Sequence, residues 1–563
     1  MEVTSISSFK NKEHRLETNQ NIIQFQQALK SGASQRQAEK LTNWPRQNFS
    51  YWNQRLQRAE LDPVVADFFL QQEGVEFLNR ISLAAEFVIS QLCGGGTGAI
   101  QTFYELTKLD QLIASSDGSV HQRLVRLENN LIEFGKQQAS QASNNLPEKE
   151  INCAMDETFP SDICLVGMDT DSGFILVEKL DRKRDFDTWN KAMEEALSPY
   201  SPQLKVRQVV SDGAKALIKC ARETLGAEHA PDLFHIQQEI IRGTTPQLKA
   251  RIKTTESRLE KACASFQQKY EQRRAYQQQS PKPVGRPVEY DRHVYAERMA
   301  RERAEKHLKR AVIHQEEVKE AIRGIGQDYH PFDLETGRKR SPQKLREDLN
   351  RRFSLIEKHA ENAEISENGI KKINKAKRNI ESLVTTLTMF WSWVLMELKA
   401  LNLSAEMASV FENHLLPLAY IELRSEKEKR AARRKQLRML YRKMYSDLCH
   451  SPLWGSLSRE EQSHLLAQAR KCARLFQRSS SCVEGRNGQL SLKHHSRKVN
   501  PRQLSASTVI HNYFIRRSDG TTAAQRFFEQ KHNDLFSWLL DNTDYPALPA
   551  QKRLAYCKLA AVA

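Results

Sequence analysis

No apolar run in this chain approaches the ~20 residues that a bilayer-spanning helix needs, which excludes a helical membrane protein. The nine cysteines among 563 residues are scattered, odd in number and include no Cys-x-x-Cys pair. That excludes a disulfide or zinc framework and leaves reduced thiols. The opening residues MEVTSISSFKNKEHRLE have no signal-peptide core, so the expected compartment is the cytoplasm. The glycine-rich run CGGGTGA at 93–99 lacks the Gly-Lys-Ser/Thr ending that would set a lysine on a phosphate. It reads as a turn between helices and is assigned no ligand. Acidic charge is also short, with 69 Asp plus Glu against 86 Lys plus Arg, a net charge of +17 and a pI near 9.3. Such an excess favours a polyanionic partner, nucleic acid first, with a membrane surface as the competing reading.

The length suits roughly two to four domains rather than one core. Residues 21–58, NIIQFQQALKSGASQRQAEKLTNWPRQNFSYWNQRLQR, read as short helices separated by SGAS and TNWP, the punctuation of a helix-turn-helix. Ile22, Phe25, Ala28 and Leu29 recur at helical spacing, Ser34 is placed to cap the second helix, and Pro45 suits the first turn of the third. That third helix carries Arg46, Gln47, Asn48, Ser50 and Tyr51, side-chain types that read base edges, while Phe49 and Trp52 face inward. An ordinary helical hairpin is the alternative. Residues 1–60 are therefore assigned as a DNA-binding region and 61–150 as a helical linker or DNA-binding region. The polar stretch QQASQASNNLPEKE at 137–150 marks the boundary.

From 151 the pattern turns to strand. INCAMDETF, ICLVGMD, a turn at TDSG, FILVEKL, the helical DFDTWNKAMEEAL, VRQVVSD and the helical GAKALIKCARETL give a β-β-β-α-β-α order. This predicts a meander, a crossover helix and a buried fourth strand. Asp156 in the first run and Asp212 at the end of VRQVVSD would project carboxylates from strands inside a sheet, where each needs a partner or a metal. Asp169 competes with Asp156 but sits in MDTDSG, which reads as the hairpin turn. A third acid, Glu484 in SSSCVEGRNG, lies in a glycine-flanked stretch able to open a helix. Converging, the three would make an oxygen-ligand site for Mg²⁺ and read together as a two-metal nuclease site.

Residues 240–478 are rich in Lys, Arg, Glu, Gln, Ala and Leu at helical spacing, interrupted by QQQSPKPVGRPVEYD and GIGQDYHPFDLETGRKRSP. Within them RSEKEKRAARRKQLRMLYRK at 424–443 presents a dense basic face, suited either to phosphates or to solvent alone. After Glu484 come Asn487, on the same helical face, and the basic segment Lys493, His494, His495, Arg497 and Lys498, suited to holding DNA.

The element order and the acids at 156 and 212, 56 residues apart (212 minus 156), resemble the RNase H-like core of DDE transposases and retroviral-type integrases. There the first Asp lies on the first strand and the second ends the fourth. Asp232 and His235 in PDLFHIQQEI are similar to the (Cys/Asp)-x-x-His element of hAT and Mutator transposases, which makes His235 near-site architecture or a DNA contact. Glu484 stands where the family's closing glutamate falls. Trp391 and Trp393 in MFWSWVL resemble the tryptophans of transposase insertions that stack a displaced base, although an apolar run equally packs such rings into a core. The tract RRSDGTTAAQRFFEQKHNDLFSWLLDN looks like the tail of bacterial transposases of this type.

The resemblance implies an α/β RNase H-like core with a mixed sheet, interrupted by a large all-α insertion and preceded by the all-α helix-turn-helix region. The core would span 151–239 and close in 479–563, with the insertion at 240–478. It implies an enzyme of DNA transposition and recombination in a bacterial, nucleoid-associated setting. Asp156, Asp212 and Glu484 would be both catalytic residues and ligands of two Mg²⁺, with Mn²⁺ as substitute; Asp232, His235, Asn487 and Trp391 would lie near them. Partners would be the terminal inverted repeats and target DNA, bound by a homodimer or larger assembly, with no membrane partner. Two alternatives stand: a domesticated or inactive transposase acting as a DNA-binding regulator, and a structure-specific RNase H-like nuclease.

Overall fold

Runs of β-branched and aliphatic residues fit a pleated, buried surface, and in the computed structural model they form the strands that the pattern predicts. The structure describes residues 9–144, 146–159, 162–281, 288–496 and 498–550. Strands β1 (Lys149–Thr158), β2 (Ile163–Asp169) and β3 (Ile175–Asp181) are followed by a helix at Phe186–Leu197, β4 (Leu204–Ser211) and a short helix at Lys215–Lys219. A further strand, β5 (Glu228–Pro231), escaped the pattern because EHAP is too short and too polar to show a period of two. The sheet order is β3-β2-β1-β4-β5, with β2 and β3 antiparallel and β4 and β5 parallel. The chain is thus mostly helical around one small mixed sheet. In β1, Cys153, Ala154 and Met155 are buried in succession, as in a strand covered on both faces.

Asp169 belongs to the hairpin turn. Its Oδ2 accepts hydrogen bonds from the Ser172 backbone N–H at 2.9 Å and from the Ser172 hydroxyl, and Gly173 supplies the left-handed φ of +75° that closes the turn. Burial pushes its carboxyl above the usual range, against those hydrogen bonds.

The described residues divide into two units. One comprises residues up to Glu150, Asp156–Lys205 and those from Cys482; the other comprises Ile151–Met155 and Val206–Ser481. In the first unit, helices Lys10–Lys30, Gln35–Thr42 and Arg46–Arg58 enclose a small core of Phe25, Ala38 and Phe49. Phe25 stacks on Phe49 with ring centroids 4.3 Å apart. Ser34 caps the second helix through a capping box with Gln37, and Gly32 makes the preceding turn at φ +91°. Elsewhere in this unit the helix Pro501–Tyr513 packs on Asp117–Ser143 and β3. Its Asn512 amide brackets Ile175, accepting from the N–H at 2.9 Å and donating to the carbonyl at 3.1 Å. Those are the bonds that a further strand would make to β3.

The second unit is built on the long helices Leu233–Gln278 and Tyr290–Asp328, which run back along each other. Its core gathers Phe332, Phe353, Phe390, Phe411 and Tyr420 from successive helices. Among the described residues no helix is long and apolar enough to cross a membrane.

Candidate functional site

Successive residues of a strand face opposite ways, and β1 uses both faces at its end. Glu157 accepts a hydrogen bond from Trp189 Nε1 at 3.0 Å, on the helix Phe186–Leu197. Asp156 turns instead to the helix Ser481–Ser496, where Asn487 Nδ2 donates to Asp156 Oδ2 at 3.0 Å across 331 residues of sequence. This closing helix is fastened beside that contact by Arg486, whose guanidinium forms two hydrogen bonds to Glu178 of β3 at 2.6 and 2.7 Å. Thr508 adds a third hydrogen bond to Glu178, at 2.6 Å. Burial opposes ionisation of Glu178, but the Arg486 charge and these hydrogen bonds hold its carboxyl below the usual carboxylate range. Val483 and Leu490 complete the buried stripe of the helix. Glu484, half-buried, lies three residues before Asn487 and so on the same face. The amide oxygen of Asn487 is enclosed and accepts no hydrogen bond among the described residues.

In the second unit Asp212 follows directly on β4, and its Oδ1 accepts from the Ala214 N–H at 3.1 Å. Ser211, just before it, pairs its hydroxyl with His229 Nε2 of β5 at 2.9 Å and accepts from the Asp232 N–H at 3.0 Å. Burial, helped by the Arg222 charge and opposed by Asp212, lowers the His229 imidazole to about 4.

Asp232 is a clasp. Only 1% exposed, it caps the helix Leu233–Gln278 by accepting from Phe234 N at 2.7 Å. Its other oxygen accepts from Ser480 N at 2.9 Å and from the Ser480 hydroxyl, 248 residues away. The Leu233 N–H donates to the Arg478 carbonyl at 3.1 Å. The segment 478–480, immediately before the closing helix, is thereby pinned to the start of the long helix. His235, half-buried one turn on, has a ring nitrogen within 4.8 Å of the Asp232 carboxylate. Both oxygens of Asp232 are already engaged by N–H and O–H donors, which makes its role architectural.

Other predicted residues lie elsewhere. Trp391 is a correction: it is a core residue of the second unit, 8% exposed. It packs edge-on against Phe332 at 5.4 Å, and its Nε1 donates to the Arg340 carbonyl at 3.2 Å. A ring whose face and N–H are both engaged is not available to stack a base, and the apolar run around it explains the burial. Trp393 instead lies under the Arg207 guanidinium at 5.4 Å.

In the N-terminal trio, Arg46, Gln47 and Ser50 are exposed and Asn48 is half-buried. Tyr51 departs from the expected base reader. Its hydroxyl donates to the Ala550 carbonyl at 3.0 Å and accepts from Arg55 at 3.3 Å. Lys493 likewise spends its ammonium on the Ser507 hydroxyl at 2.8 Å, and His494 Nδ1 accepts from Val499 N at 3.4 Å. Lys498 is exposed; Arg497 and the side chain of His495 lie outside the described residues.

Sequence reasoning missed the Arg486–Glu178 pair and the Asp232–Ser480 clasp. A lone acid inside the apolar run FILVEKL was the available signal for Glu178. The donor set around Asp156 is carboxylate and amide oxygen, the chemistry that fits Mg²⁺ or Mn²⁺ and not a thiophilic metal.

Among known proteins, residues 411–555 match a family model described as a family of unknown function, DUF6399, in a stretch that includes the whole closing helix. No curated protein matches the chain.

Proposed function

We propose that the chain is a DNA strand-cleaving and strand-transferring enzyme, a transposase of the DDE type on an RNase H-like core, with Asp156, Asp212 and Glu484 as its metal-holding residues. The observation that carries this reading is the hydrogen bond from Asn487 to Asp156. It sets the helix that bears Glu484 against the strand that bears Asp156, despite the long helical region between them in sequence. The neighbouring positions of β1 and β4 in the sheet, with Asp212 directly after β4, support the same assignment.

Bound Mg²⁺ ions would supply Lewis acidity for attack on a phosphodiester and stabilise the departing 3′ oxygen. The carboxylates hold charge of the right sign for them, and the buried Arg486–Glu178 pair keeps the closing helix in register. Exposed Arg46 and Gln47 at the start of the third N-terminal helix are suited to reading a terminal repeat in the major groove. The net charge of +17 supports backbone binding. Two transposon ends and a target call for a dimer or larger assembly on DNA.

The test is nicking of an end-containing duplex in Mg²⁺ or Mn²⁺. Asp156→Asn and Glu484→Gln each abolish nicking while leaving gel-shift affinity for the duplex intact. Nicking retained by either variant overturns the assignment of that residue, and retention by both overturns the enzyme.

A further inference from the structure

We propose that Asn487 is itself an oxygen ligand of the cation that Asp156 holds; this rests on the metal-dependent reading above and adds a fourth residue to it. The Asn487 amide can take only one orientation here. Its Nδ2 donates to Asp156 Oδ2 at 3.0 Å, and the opposite orientation would set two acceptor oxygens against each other. That leaves Oδ1 facing away from Asp156, enclosed and without a donor among the described residues. A buried amide oxygen in such a state calls for a partner from outside the protein.

The surroundings decide which kind. Asp156 is in contact, and Glu484 precedes Asn487 by one turn on the same face. The local field is therefore negative and favours a cation over another acceptor. The available donors are hard oxygens, which select Mg²⁺ or Mn²⁺. Asn487 is also held in place. The adjacent Arg486 is locked to Glu178 by two hydrogen bonds, with side chains 3% and 0% exposed. The amide therefore sits on a preorganised helix. A neutral ligand suits this position, because a third carboxylate against Asp156 would raise repulsion in the metal-free protein.

The test is Mn²⁺ binding to the full-length protein without DNA, followed by calorimetry, beside the melting temperature in chelator. Asn487→Ala weakens Mn²⁺ affinity roughly tenfold to a hundredfold, the range seen when a group supporting a metal site is removed, and leaves the melting temperature of the metal-free protein in place. Asp156→Asn weakens Mn²⁺ binding at least as much. Unchanged affinity in Asn487→Ala with lost affinity in Asp156→Asn overturns the ligand role and leaves the nuclease reading standing. Unchanged affinity in both variants overturns the metal site as a whole. A lowered melting temperature in chelator with unchanged Mn²⁺ affinity assigns Asn487 to helix packing alone and equally overturns the proposal.

Discussion

Arg486 and Glu178 form a fork-to-fork ion pair, Nε to Oε1 at 2.6 Å and Nη2 to Oε2 at 2.7 Å, that is almost wholly removed from water. It joins the closing helix to β3, one residue before the amide that touches Asp156. A buried pair of this kind is weak evidence for net stability, since desolvation offsets much of the attraction. Its geometric value is greater, because it admits one position of the helix.

Removing one partner should be far more harmful than removing both. Arg486→Met leaves Glu178 buried and unpaired and is expected to lower stability by about 3–5 kcal/mol. Adding Glu178→Leu should recover most of that loss. Urea unfolding of the single and double variants measures it, and a double variant no more stable than the single one contradicts the pairing.

Acid should weaken the fold in two stages. His511 is lowered to about 4, by burial first and then by the Arg486 charge. The unfolded chain, with an imidazole near ~6.5, therefore binds a proton that the folded form refuses. Stability from this residue falls as pH drops from about 6.5 towards about 4. Glu178 acts lower down. Its folded-state carboxyl is depressed, so its contribution is present above the unfolded value of about 4.3 and is lost as pH falls through the folded one. Unfolding midpoints at pH 7.5, 6 and 5 should decline in the wild type and flatten in His511→Asn. An equal slope in the two proteins rules out His511 as the source of the first stage.

The N-terminal trio separates folding from reading. Phe49 is 6% exposed and stacked on Phe25, and Phe49→Ala should lower the stability of the trio by about 3–5 kcal/mol. Arg46→Ala or Gln47→Ala changes an exposed side chain and should leave melting unchanged while reducing discrimination for a cognate repeat by about 1–3 kcal/mol. Gel shifts on cognate and scrambled duplexes decide; equal losses on both would reduce these residues to backbone contacts.

Trp391 offers a contrast. As a core residue bonded to the Arg340 carbonyl, it should tolerate Trp391→Phe with a loss of about 1–2 kcal/mol, while Trp391→Ala loses about 3–5 kcal/mol. Nicking by the folded Phe variant should equal that of the wild type. A selective loss of cleavage with unchanged stability would return this residue to the DNA.

Much of the fold is legible locally. The β-β-β-α-β-α order, the capping box of Ser34 and the turn of Asp169 all appear as the pattern predicts, because period, propensity and turn chemistry act over a few residues. Strand β5 was illegible because four residues carry too little period. Trp391 was ambiguous because an apolar run describes a core and a stacking platform equally well.

The sequence by itself determined where Asp156 and Asp212 stand, within and directly after strands, since alternation and β-branched runs are local properties. Only the tertiary structure decided that residues 478–487 come back to them. Ser480 on Asp232, Arg486 on Glu178 and Asn487 on Asp156 are partners 248, 308 and 331 residues apart. No local signal encodes such meetings. They depend on how the long helices between fold and pack, and on burial that leaves each charged or polar group one neighbour able to satisfy it.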